Sequence, residues 1–450
     1  MSRYKPYSNY KDSEVAWLGE VPEHWSSVSL KWISKIYSGG TPDKTNLSYW
    51  DEGSIPWLAS GEVNQFYITT PTTYITKEAY SKSSAKWISK DALVMALAGQ
   101  GKTKGMVAQL GIETTCNQSM AAIVLSAKIH SRFILWWLNS NYENIRNLAG
   151  GDLRDGLNLE LLGGIPCPFM ELSEQIIIAN FLDHETTKID TLIAKQERMI
   201  ELLGEKRSAL ISHAVTKGLD LHVKMKDSGV KWLGEVPEGW SRTRLGYIAE
   251  ESSNSFVDGP FGSDLKSEEY MDEGIPLIQL NNIKEGEHIL KNMKFISEEK
   301  KDQLARHVAR PQDIVIAKMA DPVARAAMVN EAYNEYVIVA DCVRLTPDVT
   351  KIHLPYLIYS INSKKVRIGA EIVSTGTTRI RVNLTELKKL WIPYPPIIEQ
   401  TAIADYLDTQ TAKIDTLIAK ARQAIELMKE RRTALISAAV TGKIDVRGIV

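Results

Sequence analysis

Residues 174–216 read EQIIIANFLDHETTKIDTLIAKQERMIELLGEKRSALISHAVT, and residues 399–441 read EQTAIADYLDTQTAKIDTLIAKARQAIELMKERRTALISAAVT. One block is written twice, with KIDTLIAK unchanged at 188–195 and 413–420. In the first copy Ile178, Phe181, Leu182, Ile189, Leu192, Ile193, Met199, Ile200, Leu203 and Leu210 recur at steps of three and four. That is the period of one face of an α-helix. Glu185, Lys188, Lys195, Glu197, Arg198, Glu205 and Lys206 fill the other faces. The second copy repeats the stripe with Ile403, Leu407, Ile414, Leu417, Ile418, Ile425, Met428 and Leu435. Proline interrupts neither copy; Pro168 and Pro396 come before them, where a missing N–H does no damage. The pattern predicts long helices over 171–218 and 397–443. At about 40 residues each they would run roughly 60 Å, against about 11–12 residues for an average helix. A helix of that length with one apolar stripe needs a partner. The other copy supplies it, so the expectation is an antiparallel coiled-coil spacer with pseudo-two-fold symmetry.

Working outward, a second block is also duplicated. Residues 11–26 read KDSEVAWLGEVPEHWS and residues 226–241 read KDSGVKWLGEVPEGWS. They mark short connectors over 1–25 and 219–240. Two regions of weak mutual similarity remain, 26–170 and 241–396. A few anchors align between them: Asp91-Ala-Leu-Val with Asp313-Ile-Val-Ile, and Asn158-Leu159 with Asn383-Leu384. The order is connector, divergent domain, long helix, given twice. Repeats of this kind signal one scaffold used more than once. Keeping the connectors alike while the domains drift suggests a scaffold carrying two different readers.

The divergent regions read as α+β. Short β-branched and aromatic runs at Phe66–Tyr74, Ala92–Ala96, Ala121–Leu125, Pro276–Leu280, Ile314–Ala317 and Tyr336–Val339 lie between Gly, Asn, Asp and Pro clusters. One helix is predicted in each, at 130–147 and 353–368, with Trp136, Trp137 and Leu138 answering Tyr356, Leu357 and Ile358.

Several chemistries are absent. Cys116, Cys167 and Cys342 stand far apart without CxxC spacing or a nearby His pair, which argues against disulfides and a zinc site. The start, MSRYKPYSNYKDSE, has no apolar stretch of a signal peptide, and the longest apolar runs fall far short of the ~20 residues of a membrane span. No membrane association is expected, and a reducing cytoplasm fits best. Ala96-Leu-Ala-Gly-Gln-Gly-Lys-Thr103 mimics a phosphate loop, but its first glycine is alanine and a strand-like run follows where a helix should open. The matching stretch Ala317–Arg325 carries no GKT. A basic hairpin tip is the better reading. Tyr394-Pro-Pro-Ile397 has the wrong first and last residues for an amino-methyltransferase tetrapeptide. His24, His184, His213, His288 and His307 lie apart. No catalytic residue, bound cofactor or metal is expected in this chain. The formal net charge of −1 mildly disfavours a partner rich in phosphate.

Two divergent domains, two repeated long helices and connectors of the form Trp-Leu-Gly-Glu-Val-Pro-x-x-Trp resemble the specificity subunits of type I restriction-modification enzymes. Gly39-Gly-Thr-Pro42 with Ile55-Pro-Trp57, Asp258-Gly-Pro-Phe-Gly-Ser263 with Ile275-Pro276, Cys116-Asn-Gln118 and the proline lead-ins before Glu174-Gln175 and Glu399-Gln400 carry the same resemblance. It implies a non-catalytic subunit whose two target-recognition domains each read half of an asymmetric, bipartite site in double-stranded DNA. The helices would fix the spacer and dock methyltransferase subunits, and the assembly would recruit restriction subunits. S-adenosylmethionine, ATP and Mg would belong to those partners. Two readers on one face of B-DNA want centres roughly 34–36 Å apart.

Candidate DNA contacts are polar residues on loops beside strands. In the first domain these are Gln100, Lys102, Thr103, Lys104, Asn117, Gln118 and Arg154; in the second, Lys266, Lys318, Arg325, Thr378, Arg379 and Arg381. Arg and Lys suit guanine edges, and Asn and Gln suit adenine edges. Arg154 and Arg379 match just before Asn158 and Asn383, which suggests backbone positioning more than base reading. Two rivals stand beside this reading. One is a solitary coiled-coil DNA-tethering or structural protein; the other is an enzyme using Lys102-Thr103 or a divergent methyltransferase site.

Overall fold

The computed structural model describes residues 4–99, 102–148, 156–319, 322–374 and 380–449. They form two compact units, Met1–Gln196 with Gln423–Val450, and Glu197–Arg422. Both have mixed helix and sheet content. The central helix, Leu172–Lys217, has 46 residues, and the C-terminal helix, Ile397–Val440, has 44. Each crosses from one unit into the other.

The two units repeat one topology. In the first, strands run in the order Ser34–Ser38, Met120–Leu125, Leu93–Ala96, Val107–Leu110 and Tyr67–Ile68. In the second, the order is Phe256–Asp258, Cys342–Leu345, Ile314–Ala317 and Ala326–Met328. The smaller sheets correspond as well. Ile55–Leu58 pairs antiparallel with Thr73–Ile75 and parallel with Thr115–Cys116. Ile275–Ile278 pairs antiparallel with Phe295–Ile296 and parallel with Tyr336–Ile338. The near-continuous apolar strands Leu93–Ala96 and Ile314–Ala317 are fully buried, as strands covered on both faces must be.

The repeated connectors and the repeated Glu-Gln dipeptides are two halves of one lock. In the first unit the hairpin Tyr10–Asp12 with Glu20–Pro22 presents Trp25, whose indole N–H donates to Glu174 Oε1 at 3.1 Å. In the second the hairpin Met225–Asp227 with Glu235–Pro237 presents Trp240, whose indole N–H donates to Glu399 Oε2 at 2.8 Å. Each ring also closes on the end of the other long helix. A Cβ on Gly442 would lie 3.2 Å from the Trp25 ring, and one on Gly218 would lie 3.3 Å from the Trp240 ring. Start of one helix thus meets end of the other inside each unit, so the two helical segments there run antiparallel. Farther along, Arg432 pairs with Asp190 at 2.9 Å in the first unit, and Arg207 with Asp415 at 3.0 Å in the second.

The neighbouring glutamines tie these helices to the sheet-bearing parts of their units. Gln175 accepts from the His130 N–H at 2.9 Å and donates to the Met170 carbonyl at 2.9 Å. Gln400 accepts from the His353 N–H at 2.8 Å and donates to the Pro395 carbonyl at 2.9 Å. Both are buried. His130 and His353 stand at the starts of helices Ser131–Ser140 and Leu354–Asn362, so their free amide N–H groups need such an acceptor.

Three local readings of the sequence change. The run Phe66–Tyr74 is two strands in different sheets, because Pro71 between them cannot donate to a ladder. The single helices expected over 130–147 and 353–368 each divide, the first into Ser131–Ser140 and Tyr142–Asn147 at Asn141, the second into Leu354–Asn362 and Lys364–Ile372, because Ser363 is extended (ψ 143°) and its side chain accepts from the Val366 N–H. The match between domain helices also shifts by about one turn. With His130 and His353 as equivalents, Trp136 answers Tyr359, not Tyr356. Trp136 donates to Asp183 at 2.8 Å and Tyr359 to Asp408 at 2.7 Å, which are matched positions of the two long helices.

Replacing Gln175 or Gln400 by Leu should destabilise its unit by about 2–4 kcal/mol, because one buried amide N–H and one buried carbonyl lose their partners. Chemical denaturation of each variant measures this; a change under about 0.5 kcal/mol would refute the lock. A pH effect accompanies it. Burial pushes His288 down to about 4, and its Nδ1 accepts from the Asn330 N–H at 3.0 Å. The unfolded chain therefore binds this proton first. The stability carried by neutral His288 is complete above about pH 6.5 and is lost as pH falls toward 4, a difference of about 3 kcal/mol. His288→Asn should flatten that part of the stability–pH curve; an unchanged slope would exclude His288 as its source.

Candidate nucleic-acid interface

Matched loops converge at one end of the main sheet in each unit, and the backbone builds this end the same way twice. In the first unit Gly39 N–H donates to the Met120 carbonyl, Leu97 N–H to Ser119, Asn117 N–H to Leu58 and Leu157 N–H to Leu97. In the second, Gly259 N–H donates to Cys342, Lys318 N–H to Asp341, Val339 N–H to Ile278 and Val382 N–H to Lys318. Gly39 and Gly259 are required by close approach. A Cβ would lie 2.1 Å from the Cys116 carbonyl oxygen in one case and 2.0 Å from the Val339 carbonyl oxygen in the other.

The side chains on this shared frame differ in kind. The first unit presents Asn117, Gln118 and Ser119 where the second presents Val339, Ala340 and Asp341. Gln118 is exposed and accepts from the Thr41 hydroxyl. Asn117 is half-buried, and its side-chain oxygen has no partner among the described residues. Ser38 and Leu97 occupy the places of Asp258 and Lys318, which form an ion pair at 3.3 Å. Arg381 reaches Asp341 at 3.0 Å with its side chain 48% exposed. The loop at 117–119 is therefore neutral and amide-bearing, and its counterpart at 339–341, with Asp341 and its partner Arg381, is charged.

The sequence-predicted contacts separate by burial. Lys102 and Lys266 are exposed, and Thr103 is half-buried. Lys102 and Thr103 lie on the hairpin between Leu93–Ala96 and Val107–Leu110, the geometry of a strand connection and not of a phosphate loop opening a helix. Lys104 is buried at 3% exposure and Lys318 at 5%. Arg325 donates to the Ile283 carbonyl at 2.6 Å and the Leu280 carbonyl at 2.7 Å, so its guanidinium ties a neighbouring loop to the sheet. Gln100, Arg154, Thr378 and Arg379 lie outside the described residues. Asn158 and Asn383 are helix N-caps, accepting from Leu161 N–H at 2.8 Å and Glu386 N–H at 2.9 Å. Sequence reading did not single out the Asp258–Lys318 and Asp341–Arg381 pairs, since their partners are far apart in the chain.

Two thiols lie beside these loops. Burial pushes both Cys116 and Cys342 up to about 12, so neither is a nucleophile at neutral pH. Among the described residues no group of three His, Cys, Asp or Glu side chains could hold a metal ion. No described helix is long and apolar enough to cross a membrane.

The chain can now be compared with known proteins. The specificity subunit of the type I restriction enzyme StySPI from Salmonella potsdam is 22% identical over 95% of this chain and 91% of its own length. That of EcoBI from Escherichia coli is 23% identical over 97% and 90%. A chain from a structural study of complex assembly and conformational transition of the type I restriction-modification system superposes with a TM-score of 0.71 at 16% identity, covering 93% of this chain and 98% of that one. The HsdS subunit from Thermoanaerobacter tengcongensis gives 0.57 at 16% identity, covering 94% and 98%. At these identities the structural likeness speaks for the fold. The sequence model for the type I restriction modification DNA specificity domain matches twice, over residues 22–202 and 259–427. By that double match the chain belongs to the family of type I restriction modification DNA specificity domains.

Proposed function

We propose that this chain is the DNA-specificity subunit of a type I restriction-modification complex, a non-catalytic reader of an asymmetric, two-part site in double-stranded DNA. The observation that carries the reading is the duplicated loop end: one backbone frame, two chemically different sets of side chains. A frame that positions loops identically while their polarity diverges suits two half-sites of different sequence. Methylation and DNA cleavage, with S-adenosylmethionine, ATP and Mg, fall to methyltransferase and restriction subunits.

Among the candidate contacts, Lys102, Thr103, Asn117, Gln118, Lys266 and Arg381 are proposed to face DNA. Lys104, Lys318 and Arg325 are proposed to position the loops. Gln100, Arg154, Thr378 and Arg379 stay as candidates on sequence grounds.

The long helices are proposed as a continuous antiparallel spacer that sets the distance between half-sites. Within each unit one ion pair joins the two helices, Asp190 with Arg432 in the first and Arg207 with Asp415 in the second.

Replacing residues 241–392 with the same region of another specificity subunit should change one half-site only. Single-molecule methylation sequencing of DNA from cells co-expressing the chain with its methyltransferase subunit reads this directly, and a change in both halves would refute modular reading. Arg381→Ala should weaken methylation at one half-site by roughly 1–3 kcal/mol in discrimination. Its effect on stability should stay under about 1 kcal/mol, since the ion pair is partly exposed. An unchanged half-site preference would remove Arg381 from the interface.

A further inference from the structure

In both units a large aromatic ring stands in solvent at the same place. Leu30–Ile33 and Leu245–Ile248 are single helical turns held alike, with Leu30 N–H donating to the Ile165 carbonyl at 2.9 Å and Leu245 N–H to the Leu390 carbonyl at 2.8 Å. The first and last residues of each turn are buried, whereas the third points outward: Trp32 is 75% exposed and Tyr247 67%. One exposed ring needs no explanation. The same exposure at the matched position of two domains that otherwise share little sequence does.

The flanking charge is alike too. Lys31 lies 5.5 Å from the Trp32 ring centre and Lys35 lies 5.9 Å from that of Tyr37. In the second unit Arg244 lies 4.9 Å from the Trp391 ring centre and Lys388 lies 5.6 Å from that of Phe256. Lys31, Lys35 and Lys388 are exposed, so their charge is open to an acidic partner. Position separates the turns from the loop ends. Ile33 accepts from Ser126 N–H just past the strand Met120–Leu125, and Ile248 accepts from Asp348 N–H just past Cys342–Leu345. The loops of the candidate DNA interface sit at the opposite ends of those strands. In the first unit the strand Ser34–Ser38 separates Trp32 from Gly39, a span of roughly 15 Å.

We infer that Trp32 and Tyr247, each with its adjoining cations, are equivalent docking anchors for two copies of one protein. Its complementary surface is an apolar pocket rimmed by carboxylates. Trp, Tyr and Arg are the side chains that most often dominate such contacts. Twofold repetition within one chain selects a partner that binds twice, and distance from the loop ends selects against DNA. On the functional reading above, on which this inference rests, the partner is the methyltransferase subunit.

The test is native mass spectrometry of the full chain co-expressed with that subunit. The wild type should carry two copies, Trp32→Ala and Tyr247→Ala one each, and the double variant none at matched concentration. Trp32→Tyr and Tyr247→Phe should restore the second copy, and thermal melting of every variant should match wild type, since both rings are exposed. Two copies on either single variant would overturn the equivalence, and two on the double variant would overturn the anchors. A double variant that keeps both copies but loses DNA affinity would assign the turns to the DNA backbone instead. A wild-type chain that binds no methyltransferase subunit would refute the functional reading itself.

Discussion

Two indole N–H groups hold the architecture together. Trp25 and Trp240 each donate to the glutamate at the start of one long helix while their rings close on the end of the other. A buried carboxylate needs donors, and Glu174 has three: Trp25, the Tyr7 hydroxyl at 2.7 Å and His24 at 2.8 Å. Burial, with the same carboxylate, pushes the Tyr7 phenol far above its ordinary range, so Tyr7 stays a donor at any physiological pH. Because helix start and helix end meet at one ring, the antiparallel direction inside each unit follows from the clamp and does not depend on the apolar stripe alone. The adjoining glutamine then carries that constraint to the domain helix that begins after His130 or His353.

This arrangement separates what must stay fixed from what can vary. Backbone amides and carbonyls build the loop ends, and a glycine sits where no side chain fits. In the first unit the loop at 117–119 carries neutral side chains, and Gln118 accepts from the Thr41 hydroxyl. In the second, Asp258, Lys318, Asp341 and Arg381 pair among themselves. An ion pair at an interface orients its members before a ligand arrives, and it also lowers the charge a phosphate would meet.

The long helices were legible because their apolar period persists over many turns, and the duplicated connectors because identity does not need a structure to be seen. Strands were legible where β-branched runs are buried on both faces, as at Leu93–Ala96 and Ile314–Ala317. Where a proline or a capping serine intervened, the period alone did not show the break. The lock was not legible, because Trp25 and Glu174 are joined only by the fold; the one available signal was that both sat in repeated blocks. Lys104 and Lys318 read as exposed because polar residues on loops usually are, whereas both are buried. Trp32 and Tyr247 were passed over for the opposite reason, since an aromatic between Leu and Ile reads as core.

The net charge of −1 bears on how such a chain would hold DNA. Phosphate contacts supply most of the affinity of DNA-binding proteins and scale with the number of uncompensated cations. In the second unit Lys318 and Arg381 face carboxylates, and Arg325 faces carbonyls, so few cations at that loop end are free of internal duties. On the proposed reading, base contacts from this chain would set the sequence while much of the phosphate neutralisation came from the subunits docked on it. Cations near Trp32 and Tyr247 fit that division, because they lie where a partner would sit and away from the loops that would meet the base edges.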